Sequence, residues 1–332
     1  MNNVAQFAFH HTGPRRRASD ILHVGLVNNM PDAAMRPTEL QFARLLRDSA
    51  GGLDVRLSLF SLPEIARSDL ARSRMDGIYA DASTLPDAGI DALIVTGAEP
   101  HAVDLRDETF WPSFCRLVDW AHDGTVSTLF SCLAAHAAVL HGSGIVRRPL
   151  ARKLFGVFDC TVAAEDPLLF KLHAPVSVPH ARLNELAEED LKAHGYRILS
   201  RLAGGGVNLF ARKSGSLFLF SQGHPEYDGD SLGREYVRDV GRYLRGENAV
   251  PPPIPSGYFD KATEADLRAL AAAGRDPSLQ PRYDALLAGA ISLQYWRADT
   301  VQLFGNWLAG VAAEKMRRRA RSPANSGLRR SA

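Results

Sequence analysis

The sequence predicts an α/β protein, a mainly parallel sheet flanked by helices. Three observations carry that prediction. Apolar, β-branched runs of strand length recur through the first half of the chain, and stretches with apolar residues at helical spacing separate them. The sharpest of these alternations turns on a cysteine, in VSTLFSCLAAHAA (126–138).

Taken in order, ILHVGLVNN (21–29) has strand length and runs into a turn-like Met30-Pro31-Asp32. TELQFARLLRD (38–48) then places Leu40, Phe42, Ala43, Leu45 and Leu46 at helical spacing, with Thr38 as its N-cap. LDVRLSLFSL (53–62) alternates as a strand does, and GIDALIVTGAEP (89–100) reads as a buried strand ending at Gly97. WPSFCRLVDWA (111–121) has a helical pattern. Around Cys132 a strand gives way to small helix formers that stop at Gly142. In the second half, 156–162, 196–202, 207–212 and 217–222 read as short strands, partly antiparallel. Residues 231–246 form an amphipathic helix, and PPPIPSGYFD (251–260) is extended because proline blocks a helix. A last helix covers 297–313. No long flexible linker divides 20–313, which is read as one domain between an extension (1–19) and a tail (314–332).

Composition narrows the function classes. With 332 residues, 45% of them hydrophobic, the chain can bury a large core. No apolar run approaches the ~18 residues of a membrane span, and the N-terminus lacks the order of a secretory signal. Three cysteines without metal-site spacing argue against both a disulfide framework and a zinc site. The expectation is a cytoplasmic protein with no bound metal or cofactor. The net charge of +2 hides an asymmetry: 314–332 carries seven basic residues and one acid, leaving −4 for the rest. That Arg-rich tail has no apolar periodicity and reads as disordered and solvated. The body lacks the basic-aromatic pattern of a nucleic-acid binder, so no nucleic-acid partner is expected.

Ligands of open α/β sheets collect outside the C-terminal ends of strands. Three segments end there with reactive residues: TGAEPH (96–101), SCL (131–133) and QGHPEYD (222–228). A strand-to-helix turn exposes a nucleophile, and a helix N-terminus favours a thiolate. The amide of Leu133 would face an oxyanion there. His224 and Glu226, two apart across Pro225, can aim at one pocket as base and orienting group. A lone cysteine is more often a buried filler than a nucleophile, and Cys115 (in a helix) and Cys160 (in a strand) are read that way. For Cys132, the coincidence of three strand ends favours chemistry.

NNMPDAAMRPTELQFARLL (28–46), IVTGAEP (94–100), STLFSCLAAHAA (127–138), KLFGVFD (153–159), PHAR (179–182), GHPEYDGDSLGREYVRD (223–239) and LFGNWL (303–308) together resemble the homoserine O-succinyltransferase family. The resemblance spans residues 20–312. It implies a class I glutamine amidotransferase-like (flavodoxin-like) fold. It also implies transfer of an acyl group from acyl-CoA to the hydroxyl of homoserine, in methionine biosynthesis. By resemblance Cys132 is the acyl-accepting nucleophile, His224 the base and Glu226 its orienting residue. Leu133 and the Gly97–Ala98 loop are the candidates for the oxyanion hole. Lys153 and Arg238 match substrate-binding positions of the family. Its basic stretch with Arg147, Arg148 and Arg152 would otherwise leave Lys153 as surface charge, and periodicity puts Arg238 nearly opposite the apolar face of its helix. The family commonly forms homodimers.

Two positions depart from the family pattern. Ala181 stands where PHSR has a substrate-contacting serine, which opens the question of homoserine against serine as acceptor. His101 occupies the position at which glycine goes with succinyl and glutamate with acetyl donors. An imidazole does not repel a carboxylate, which favours succinyl-CoA over acetyl-CoA, although Glu99 could act against a succinyl group. A glutaminase shares the triad and fold, but typically carries glycine where this chain has Phe130 and Ala134. A non-catalytic binding module is the remaining alternative.

Overall fold

The computed structural model describes residues 6–9, 20–172, 174–290 and 294–321. Its first half is strand β1 (Gln6–Phe9), β2 (Leu22–Val27), helix α1 (Asp32–Ser49), β3 (Val55–Ser61), α2 (Asp69–Met75), β4 (Tyr79–Asp81), β5 (Ala92–Val95), α3 (Trp111–Gly124), β6 (Ser127–Ser131) and α4 (Leu133–Ser143). Then follow β7 (Arg148–Val162), β8 (Val176–Glu185), α5 (Glu188–Ala193), β9 (Arg197–Leu202), β10 (Val207–Ser214), β11 (Ser216–Ser221), α6 (Ser231–Leu244), α7 (Lys261–Ala272), α8 (Gln280–Ala288) and α9 (Arg297–Arg321).

The strands form one sheet in the order β1-β3-β2-β5-β6-β11-β10-β9-β7-β8, with β4 on the edge of β3. From β4 through β3, β2, β5 and β6 to β11 every pairing is parallel. The pairings of β7 to β10 are antiparallel, as the turn-rich second half of the sequence predicts. The parallel strands are apolar on both faces because helices cover both. On one face α3 and α4 bring Phe114, Leu117, Ala135 and Val139 against Phe130, Phe210 and Phe220. On the other, α1 and α9 bring Phe42, Leu46, Phe304 and Leu308 against Leu26, Leu129 and Leu219. A third core joins β7 to α6, α7 and α8 through Phe155, Tyr236, Leu267 and Tyr283. It positions the rim of the site.

Three boundaries are corrected. Helix α1 begins at Asp32, so Thr38 lies inside it, 5% exposed, and is no cap. Extended Pro31 takes the N-cap place with acidic Asp32 after it, and Pro37 is accommodated without ending the helix. Part of the supposed extension belongs to the sheet, since β1 pairs antiparallel with β3. Helix α9 runs past 313 to Arg321, because the tail's charges find partners on the body. Lys315 Nζ donates to Ile21 O at 2.7 Å and to Asp91 at 2.6 Å, and Arg318 donates to Thr125 O at 2.9 Å. The expectations for 1–5, 10–19 and 322–332 lie outside the described residues.

Candidate active site

Cys132 sits at the corner between β6 and α4 with φ +52° and ψ −114°. A non-glycine side chain rarely adopts that backbone, and it persists only where its surroundings fix it. Here the Cys132 N–H donates to Ser221 O at the end of β11 (2.8 Å), and Cys132 O accepts from Ala135 N–H (3.0 Å). The thiol is thereby held at the C-terminal edge of the sheet, partly exposed. Leu133 opens α4, so its N–H has no intrahelical acceptor. Gly97, just beyond β5, lies against it: a Cβ there would come within 2.7 Å of Leu133 Cβ and 3.2 Å of Leu133 N. Only glycine leaves that amide uncovered.

His224 follows β11 and is anchored by its own N–H, which donates to Pro179 O at 2.8 Å. Its Nδ1 bonds Glu226 Oε1 at 2.9 Å, both side chains being under 10% exposed. Cys132 is the neighbour whose charge acts most strongly on the ring. Burial opposes protonation of His224, but the charges of Cys132 and Glu226 and the hydrogen bond to Glu226 outweigh it. The imidazole is therefore held well above its ordinary value. Its face stacks on Tyr227, centroids 4.3 Å apart and 20° between planes. Burial and the neighbouring Glu235 keep the Tyr227 phenol protonated, and it donates to the Glu235 carboxylate.

The charged residues of the rim are linked to this stack. Glu235 lies 3.7 Å from Arg238, and Arg238 bonds Asp239 at 2.8 Å. Asp239 in turn holds Lys153 Nζ at 2.7 Å. Lys153 is mostly buried, its ammonium 3.9 Å from the centre of the Phe155 ring, so it is not surface charge. Arg238 is exposed on α6, as the periodicity predicts. Ala181 pairs with Phe155 across β8 and β7 and packs on the third core. His101 is exposed, and its N–H is taken by Glu108 at 2.6 Å. The imidazole makes no hydrogen bond or ion pair among the described residues. Glu99 is paired with Arg242 of α6 at 3.3 Å. Phe130 and Ala134 point into the core.

Sequence reasoning missed a buried polar layer near Cys132. Arg182, its side chain 3% exposed, donates to Asn184 O at 2.7 Å and to His180 Nδ1 at 3.4 Å. Its nearest carboxylate, Glu185, is 4.0 Å away, and Cys132 is an electrostatic neighbour. Burial pushes His180 well below its usual value and His136 down to about 3, so both rings are neutral. His136 Nε2 and Leu186 N–H both reach Gln222 Oε1 at 2.9 Å. Arg182 falls in the PHAR motif, but nothing in a strand pattern announces a buried guanidinium.

A thiol on a strained elbow, a histidine within its electrostatic reach, a carboxylate behind the histidine and an uncovered amide beside it are the parts that acyl transfer through a thiol requires. The family model described as homoserine O-succinyltransferase matches residues 2–317. The chain belongs to the homoserine O-succinyltransferase family. It is 48% identical over 303 residues to the homoserine O-succinyltransferase of Rhodopseudomonas palustris, covering 90% of this chain and 91% of that one. The corresponding protein of Methylorubrum extorquens is 49% identical, with 88% and 87% covered. Among solved structures, a glutamine amidotransferase from Methylobacillus flagellatus is similar at a TM-score of 0.48 and 12% identity, over 88% of this chain and 95% of that one.

Proposed function

We propose that the protein transfers a succinyl group from succinyl-CoA to the hydroxyl of L-homoserine through an acyl-enzyme on Cys132. The observation that carries the reading is the Cys132–His224–Glu226 line at the elbow, in a chain of this family. The Cys132 sulfur attacks the thioester carbon, and the oxyanion is held by the amide of Leu133 and those of the Gly97–Ala98 loop. The bond to the CoA sulfur breaks, and that sulfur leaves with the proton carried by His224. His224, neutral again, takes the hydroxyl proton of homoserine as its oxygen attacks the acyl carbon. The C–S bond to Cys132 breaks, which restores the thiolate and the protonated imidazole. Glu226 keeps Nδ1 protonated, so that Nε2 faces the reacting atoms.

The rim carries both signs of charge, which suits an amino-acid acceptor: Arg238 and Lys153 for a carboxylate, Glu235 and Asp239 for an ammonium group. Ala181 offers no hydroxyl, leaving these charges to orient the acceptor. Two features support succinyl over acetyl. No acid stands at position 101, and the charge of Glu99 is compensated by Arg242. Three free cysteines suit a reducing cytoplasm. The test is product formation from each pairing of succinyl-CoA or acetyl-CoA with L-homoserine or L-serine. O-Succinylhomoserine as the main product is expected. Ammonia from glutamine, with no ester from any pairing, would contradict the reading.

A further inference from the structure

The cations on the rim and beneath the nucleophile are engaged: Lys153 and Arg238 by Asp239, Arg242 by Glu99, and Arg182 by Asn184 O and His180. Arg147 differs. It is half-buried, yet makes no hydrogen bond or ion pair among the described residues. Removing a guanidinium from water without a partner is costly, so such a group awaits an anion. Its place in the fold says where. Arg147 lies between α4, which Cys132 opens, and β7. It follows Ile145, which is buried in the same core as Leu133 and Leu105.

The electrostatic neighbours of its guanidinium are Cys132, His136, Glu108 and Asp104. The two acids have other partners. Glu108 accepts the N–H groups of His101 and Ala102 at 2.6 and 2.7 Å, and Asp104 takes Arg106 at 2.6 Å. The half-buried guanidinium is therefore within electrostatic reach of both Cys132 and the 101–108 loop. A succinyl group on Cys132 carries its free carboxylate about 4 Å beyond the thioester carbon, two methylenes away.

We propose that Arg147 is the donor-specificity residue, its guanidinium receiving the free carboxylate of the succinyl group as a fork-shaped, charge-assisted pair. The inference rests on the succinyl transfer proposed above. Arg147 belongs to the acyl-donor side of the pocket, separate from the Lys153–Arg238 side that suits the amino acid.

The test compares succinyl-CoA with butyryl-CoA, which has the same four-carbon chain without the carboxylate. The rate of Cys132 acylation is measured by quench and intact mass for the wild type, Arg147→Gln and Arg147→Lys. Arg147→Gln is expected to slow succinylation about 100-fold. Butyrylation should change by less than about twofold, which also shows that the variant is folded. Arg147→Lys, a cation without the fork, should fall between. Equal losses with both donors would assign Arg147 to the CoA body and overturn the proposal, as would an unchanged ratio of the two rates. If the wild type is acylated by neither donor, the acyl-transfer reading itself falls, and this one with it. An intact wild type with unaltered variant selectivity refutes the Arg147 assignment alone.

Discussion

Cys132 differs from the other two cysteines in what surrounds the sulfur. Burial pushes the Cys160 thiol up to about 12, and burial with help from Asp119 raises Cys115 to about 11. Among the described residues no histidine acts on either thiol, whereas Cys132 and His224 act on each other's charge. Limited alkylation with iodoacetamide at neutral pH should therefore modify Cys132 first, which peptide mapping reads directly. Glu226→Gln should cost about 10⁴-fold in kcat, because the amide no longer enforces the Nδ1–H tautomer; steady-state kinetics with the fold checked by circular dichroism measures it. The placement of Cys132, His224 and Glu226 at one end of the sheet was legible because they stand at strand ends beside small or kinked residues. Arg182 and Tyr227 were not, for a physical reason. What makes them matter is, for Arg182, burial within electrostatic reach of Cys132 and, for Tyr227, stacking on His224, and neither leaves a period in the sequence.

Helix α4 carries, one turn beyond Cys132, a histidine whose neutrality is enforced by burial. In the unfolded chain His136 gains a proton below about pH 6.5, while in the folded protein it does so only near 3. Folding therefore becomes less favourable as pH falls through that window, by about 1.4 kcal/mol per pH unit for this group; His180 acts in the same direction. Urea unfolding at pH 7, 6 and 5 should show this slope, and His136→Gln should remove one group's share. Helix α9 shows why the sequence misleads at an end. Its last turns are rich in arginine and lack apolar periodicity, the pattern of a solvated tail. Those cations instead suit a helix C-terminus and reach carbonyls and acids of the body. Lys315→Ala leaves Asp91, only 15% exposed, without its cation. It should lower stability by about 2 kcal/mol in denaturant melts while leaving acyl transfer at 25 °C unchanged.

At the scale of the whole molecule, the site is a junction. The parallel half supplies Cys132 and Gly97, the loop after β11 supplies His224 and Glu226, and the third core carries Lys153 and Arg238. Strand alternation made the parallel half readable. The order of the sheet was not, because β6 beside β11 and β7 beside β9 are long-range pairings that no local pattern encodes. Gly156 ties the third core on: Ser256 N–H donates to Phe155 O, and Val157 N–H to Ser256 O, with Gly156 between them at φ +139°. A Cβ there would collide with the Ser256 backbone, so Gly156→Ala should cost more than about 3 kcal/mol. Thermal melts should record that loss, and the KM for the acceptor should rise as Lys153 shifts.

The central claim is that Cys132 carries the acyl group between two substrates. Intact-protein mass spectrometry after brief exposure to succinyl-CoA without acceptor tests it most directly. One succinyl group mapped to Cys132, discharged on adding L-homoserine and missing in Cys132→Ala, is the predicted result. An unmodified Cys132 in protein that nonetheless makes the ester would contradict it, since transfer would then pass directly from CoA to the acceptor.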